Sequence, residues 1–246
     1  MKKIKLYTII ALSLFVTITV KAQETSGETQ EKKAIETTIA TDVVSQFIWR
    51  GMDLGSISLQ PTLGISYKGL SLSAWGSVGV SNSSDDKEID LTLAYTYGRW
   101  NVSITDYWTT SGNDPDARYF RYNAHSTNHV FEANLGYDFG FASIQWFTNF
   151  AGNTGMNSNG KRVYSCYVEA AVPFRLTGVD WTAKAGVVPH ATNTYVTDGF
   201  AVTNLSLRAT KSIQVTNTFT IPLFGELVAN PCSQRAYLVF GFTLEP

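Results

Sequence analysis

The sequence predicts an all-β chain folded as a single up-and-down antiparallel transmembrane β-barrel of about 12 strands, with short periplasmic turns and long extracellular loops. Three observations carry that expectation. Segments of alternating polarity recur along the chain, and the connections between them are short and long in turn. Most segments also run about 9 to 11 residues, the length a tilted strand needs to cross a bilayer. Short connections fall at Lys68-Gly69, Gly98-Arg99, Phe139-Gly140, Arg175 to Asp180 and Ser212 to Gln214. Long polar ones fall at Gly51 to Ile57, Ser81 to Lys87, Ser111 to Asn128, Ala151 to Lys161, Pro189 to Gly199 and Ala229 to Ser233.

Residues 1–22 read as a secretory signal peptide. Lys2, Lys3 and Lys5 form a basic start, Leu6 to Val20 an apolar stretch, and Val20-Lys21-Ala22 a small-residue cleavage site. The apolar stretch holds several Thr and Ser and falls short of the roughly 20 residues a spanning helix needs. Residues 23–36 are polar, rich in Glu and Thr and without periodicity, which reads as a disordered periplasmic tail too short to form a plug domain. Residues 37–246, roughly 210 in all, suit one all-β domain. A formal net charge of -1 gives no electrostatic reason for nucleic acid as a partner. Cys166 and Cys232 lie far apart in sequence, and two cysteines do not make a disulfide framework.

The strands justify themselves by period-two alternation. Thr38 to Arg50 opens the sheet. In Glu88 to Tyr97, Ile89, Leu91, Leu93, Tyr95 and Tyr97 oppose Asp90, Thr92, Ala94 and Thr96. In Trp100 to Trp108 the apolar set includes Asp106, so a bulge near Thr105 is expected to turn that carboxylate inward. Val130 to Phe139 sets Phe131, Ala133, Leu135, Tyr137 and Phe139 against Glu132, Asn134, Gly136 and Asp138. Val163 to Phe174 sets Tyr164, Cys166, Val168, Ala170 and Val172 against Ser165, Tyr167 and Glu169. In Val202 to Thr210, Leu205, Leu207 and Ala209 alternate with Asn204, Ser206, Arg208 and Thr210. Arg235 to Leu244 puts Ala236, Leu238, Phe240, Phe242 and Leu244 on one face and closes the sheet against the first strand.

A soluble sandwich alternates too, so the position of the rings decides. Tyr67, Tyr97, Trp100, Phe139, Phe141, Phe174 and Trp181 cluster beside the short turns. Trp49, Trp108, Phe150, Tyr164 and Phe200 sit near the long loops. Two bands of rings at strand ends suit the two membrane interfaces, whereas a sandwich core wants its rings in the middle. An open sheet in lipid would leave unpaired backbone groups, so the barrel must close.

Ser45-Gln46-Phe47-Ile48-Trp49-Arg50-Gly51-Met52, then Gln60-Pro61, Ala74-Trp75-Gly76-Ser77 and Glu88-Ile89-Asp90-Leu91 with Tyr95, resemble the TorF-type family of outer-membrane porins (the Gcw_chp domain). The aromatic-Arg-Gly element is the most specific part, and the match covers about a quarter of the chain, the rest agreeing only in rhythm. The resemblance implies an outer-membrane barrel with a channel role.

On the expected inward faces lie Asp42, Asp90, Glu132, Glu169, Lys184 and Arg208, with Arg50 at the mouth; these are the candidate pore-lining residues. Arg50 could bind solutes or pair with a loop carboxylate such as Asp53 while Gly51 supplies a turn. Both signs are present, so no strong ion selectivity is expected. The implied function is passive diffusion of small polar solutes or ions, with outer-membrane lipid as the surrounding partner. Two alternatives remain: a non-conducting scaffold or surface-binding barrel acting through its loops, and an outer-membrane lipid hydrolase. Catalysis has little to stand on, since His125, His129 and His190 sit in loops or at strand ends and no elbow-type Ser motif occurs. The nearest approach to a hydrolase site is His190 with Thr192 and Asn193. His125 and His129 are spaced as helical metal ligands would be, but their Gly/Asn/Asp-rich segment promises no helix. No metal or other cofactor is expected.

Overall fold

The computed structural model describes residues 35–245, apart from positions 83, 113, 125, 157–158 and 218. The expected signal peptide and nearly all of the tail therefore lie outside the described residues, as does His125. The strands in chain order are β1 (Glu36–Val44), β2 (Phe47–Trp49), β3 (Met52–Gly55), β4 (Ser58–Tyr67) and β5 (Leu70–Gly79). Then come β6 (Lys87–Tyr97), β7 (Trp100–Thr110), β8 (His129–Asp138), β9 (Ser143–Gly152) and β10 (Cys166–Leu176). The last are β11 (Val179–Val188), β12 (Ala201–Gln214), β13 (Thr220–Asn230) and β14 (Arg235–Leu244).

Twelve of these close into one antiparallel barrel in which sequence neighbours pair and β1 joins β14 to β4. Closure gives every wall strand a neighbour on both sides, so the barrel has no free edge strand. The period of two fixes the two faces. On β4, Ser58, Gln60 and Thr62 are buried inside while Leu59, Leu63, Ile65 and Tyr67 are exposed outside. The same inversion runs round the wall: Leu93, Val102, Leu135, Leu207 and Leu238 stand exposed outside, while Thr105, Asn134, Ser206 and Thr243 are buried within. A protein core in water would have the opposite polarity, so this is an apolar exterior wrapped around a polar interior. Tyr67, Tyr97, Trp100, Phe139, Phe141 and Phe174 are exposed at the short-turn end, and Phe150, Tyr164 and Phe200 at the other.

The short turns follow the chain's chemistry. Lys68-Gly69 (φ 49° and 86°) and Thr177-Gly178 (φ 51° and 77°) both place two left-handed residues between paired strands, the geometry whose twist matches a hairpin. Several expected boundaries move. The segment Thr38 to Arg50 is not one strand, because β1 ends at Val44. What read as the loop Gly51 to Ile57 begins within a second hairpin, β2–β3, which forms its own sheet. Ser212 to Gln214 belongs to β12, and the turn closes instead where Val215 N–H donates to the Phe219 carbonyl at 2.9 Å. The connection after β13 is a tight turn rather than a long loop.

Asp106 is also corrected. The pairing of β7 with β6 and β8 is unbroken through Thr105, so no bulge turns the carboxylate inward. The register breaks fall elsewhere, between Phe131 and Glu132 and between Gly186 and Val187. Cys166 and Cys232 are both free thiols, the first buried and the second exposed.

Candidate functional site: a hairpin across the lumen

The β2–β3 hairpin turns on Arg50 and Gly51, with φ of 50° and 80°. Glycine adopts that conformation freely, but arginine gives up about 1–2 kcal/mol to enter it. The contacts of the Arg50 side chain offset this. Nη1 and Nη2 donate to Glu132 Oε2 and Oε1 at 2.7 and 2.8 Å, a two-pronged charge-assisted pair. Nη1 also donates to Tyr195 Oη at 2.5 Å. The guanidinium lies over the rings of Trp49, Phe147 and Tyr167 at 4.4, 4.1 and 4.6 Å. Side-chain exposure is only 7% for Arg50 and 2% for Glu132, so solvent screens the pair little.

The partners come from all round the barrel. Glu132 is on β8, Phe147 on β9, Tyr167 on β10, and Tyr195 in the β11–β12 connection. Phe47 of the hairpin meets Trp75 of β5 at 5.5 Å, and Trp49 meets Tyr107 of β7 at 6.0 Å. On the far side, Asn230 of β13 donates to the Gly51 carbonyl at 3.1 Å. A Cβ on Gly51 would stand 1.9 Å from the Thr203 carbonyl oxygen of β12. A short hairpin that touches opposite walls of a closed barrel lies across its lumen. Trp49, expected in the outer ring band, is therefore inside, stacked on Tyr195 at 5.9 Å. Asp53 is not Arg50's partner; it accepts from Gln46 Nε2 at 2.9 Å.

Glu132 also accepts from Tyr107 Oη at 2.9 Å, which fixes the carboxylate from the wall side. Burial pushes the Tyr195 phenol above its ordinary range while Arg50 pulls the other way, so Tyr195 meets the guanidinium as a neutral acceptor. Gly186 admits the Tyr167 ring, since a Cβ there would stand 1.9 Å from Tyr167 Oη.

The remaining candidate residues sit on the inner wall in pairs of unequal quality. Lys184 lies 3.7 Å from Glu169, and Arg208 lies 3.6 Å from Glu226 and over the Phe224 ring at 3.6 Å. Asp42 accepts from Thr243 Oγ1 at 2.6 Å. Asp90 faces Trp75 on β5 and Tyr107 on β7. Sequence reasoning missed Glu88, which shares Asp90's face and was open to the same alternation argument. It also missed Glu226, Tyr107, Phe147 and Tyr195; the last lies in a connection where no periodicity could reveal it. Above the hairpin, a cavity of about 500 Å³ opens between Gln46, Asp53, Ser56, Ser84, Asp85 and Asp86.

On the outer wall, Asp106 faces away from the lumen beside His129, whose Nδ1 lies 2.7 Å from Asp106 Oδ1. His129 is fully buried because the connection after β7 folds down over it: Tyr122 stacks on the imidazole at 4.1 Å and the Tyr119 carbonyl meets Nε2. That carbonyl can only accept, so Nε2 carries its hydrogen and has no hydroxyl to activate. The dyad thus gives an outward carboxylate a close polar partner and pins the loop. His190 contributes its carbonyl to Thr197 Oγ1 at 3.4 Å.

Fold and site together define a closed twelve-stranded up-and-down β-barrel with an internal hairpin, an architecture typical of outer-membrane proteins. Compared with known protein families and with curated proteins, the chain matches no family model and no curated relative.

Proposed function

We propose that this chain is an outer-membrane pore for small polar solutes and ions, narrowed by the β2–β3 hairpin and selective for cations. The exposed apolar belt with ring bands at both ends supports the membrane setting. The resemblance of Ser45 to Tyr95 to TorF-type porins supports the channel role. The observation that carries the selectivity is the imbalance of pairing on the inner wall. Three lumen cations already have carboxylates: Arg50 has Glu132, Lys184 has Glu169 and Arg208 has Glu226. Asp42, Glu88 and Asp90 form no ion pair among the described residues, so among these lumen groups carboxyls outnumber cations and can receive a passing cation. Mixed signs in the sequence gave no reason to expect a preference; the pairing supplies one.

The test is the reversal potential of the refolded chain in a planar bilayer under a potassium chloride gradient. A cation-selective potential that moves toward zero in Asp42→Asn/Glu88→Gln/Asp90→Asn supports the reading. Anion selectivity, or a potential indifferent to that triple change, would refute it.

A further inference from the structure

We propose that Trp75, Ser77, Glu88 and Asp90 form a binding site for a small primary amine on the inner wall of β5 and β6. The inference deepens the cation-pore reading and rests on it for the ligand's route to the lumen.

The four side chains make a two-by-two patch. Ser77 pairs directly with Glu88 across the two strands, and Trp75 pairs with Asp90 two residues along. Alternation aims all four inward. Each has a buried polar atom without a protein partner: Trp75 Nε1, Ser77 Oγ, Glu88 Oε2 and Asp90 Oδ1. Ser77 and Glu88 are only 5% and 8% exposed. Buried polar atoms of a folded wall are normally satisfied, so four orphans on adjoining residues mark a place built for something else to touch.

The charge of that something follows from the surroundings. Glu88 and Asp90 act on each other on the same face of β6, and the other ionisable groups acting on them are Asp86, Glu132 and Asp106, all carboxylates. Two such carboxyl groups share a proton, or a cation takes its place. Among the described residues no side-chain cation fills that role. No cluster of three His, Cys, Asp or Glu able to hold a metal ion occurs among them either. Two carboxylate oxygens and a hydroxyl instead offer three acceptors, the number an alkylammonium group can serve with its three N–H donors. The indole adds a π-face for the cation, held in place by Phe47 of the hairpin at 5.5 Å. The unpartnered indole N–H calls for an oxygen on the same ligand, which makes an amino alcohol the best-fitting class. Asp86 lines the mouth cavity and acts electrostatically on Glu88 two residues along the chain.

The experiment is calorimetric titration of the refolded barrel in detergent with ethanolamine hydrochloride, with potassium chloride as the competing salt. Saturable binding that millimolar potassium does not displace is expected. Losing a charged hydrogen-bond partner should weaken it roughly 10- to 100-fold in Glu88→Gln and in Asp90→Asn. Asp180→Asn, which alters an exposed rim carboxylate paired with Arg175, should bind as the parent does. Ser77→Ala gives a second, gentler variant should a carboxylate substitution prevent folding, and it too should weaken binding. No heat of binding, equal displacement by potassium, or full affinity in Ser77→Ala would overturn the site. Because the titration needs no current, binding without conductance would sink the pore and keep the site. Conductance without binding would do the reverse.

Discussion

Replacing Glu132 with Gln should release the hairpin from the lumen without unfolding the barrel. The substitution keeps the shape of the side chain but leaves the Arg50 guanidinium charged, almost wholly buried and without a counter-ion. Removing one partner of such a pair costs about 3–5 kcal/mol. Arg50 and Glu132 belong to different elements, the hairpin and β8, so the loss falls on the docking of one against the other. A shift of that size multiplies the undocked population by about 100 to 5,000. Hydrogen exchange of the amides in β2 and β3, where exchange reports local opening, should accelerate by that factor while β4 to β14 keep their protection. The double variant Arg50→Met/Glu132→Gln removes both charges and should recover much of the protection, because the two effects share one interaction. Unchanged exchange in the hairpin, or an equal rise in every strand, would refute the view that this pair holds a separable plug.

Two further outcomes follow from the same structure. His129→Ala leaves the outward Asp106 with only the long 3.5 Å hydrogen bond from Tyr122 Oη and removes the ring on which Tyr122 stacks; proteolytic cleavage within residues 111–128 should become faster and the melting temperature should fall. Burial and the neighbouring Asp85 raise the Asp86 carboxyl above its ordinary range, so at the mouth it gains its proton at a higher pH than a free aspartate would. Asp86 should therefore contribute to a decline of cation preference on acidification before ordinary carboxylates titrate, and Asp86→Asn should make that early decline smaller, both read from reversal potentials across a pH series.

The barrel was legible because an apolar outside and a polar lumen impose a period of two on every wall strand, and a run such as Val130 to Phe139 shows which residues take which face. The inward hairpin was not. Ser45 to Ile57 alternates too little to betray its direction, and a strand-like run through Ile48 and Trp49 reads the same whether it continues the wall or folds away from it. The aromatic-Arg-Gly element was visible as a motif, but its partners are set by closure of the barrel: Glu132 lies 82 residues away and Tyr195 lies 145 away. Asp106 failed for a related reason. A lone carboxylate on an apolar face suggested a bulge, while the chain instead supplies His129 from the next strand and a loop to cover both.

The most direct measurement compares single-channel current of the refolded chain with that of a variant in which Gln46 to Ser56 is replaced by a short Gly/Ser linker. On the reading of β2–β3 as a plug in a cation pore, small or infrequent steps come from the parent and large, steady, cation-selective steps from the variant. A variant that folds, keeps its barrel and passes no more current than the parent would contradict it.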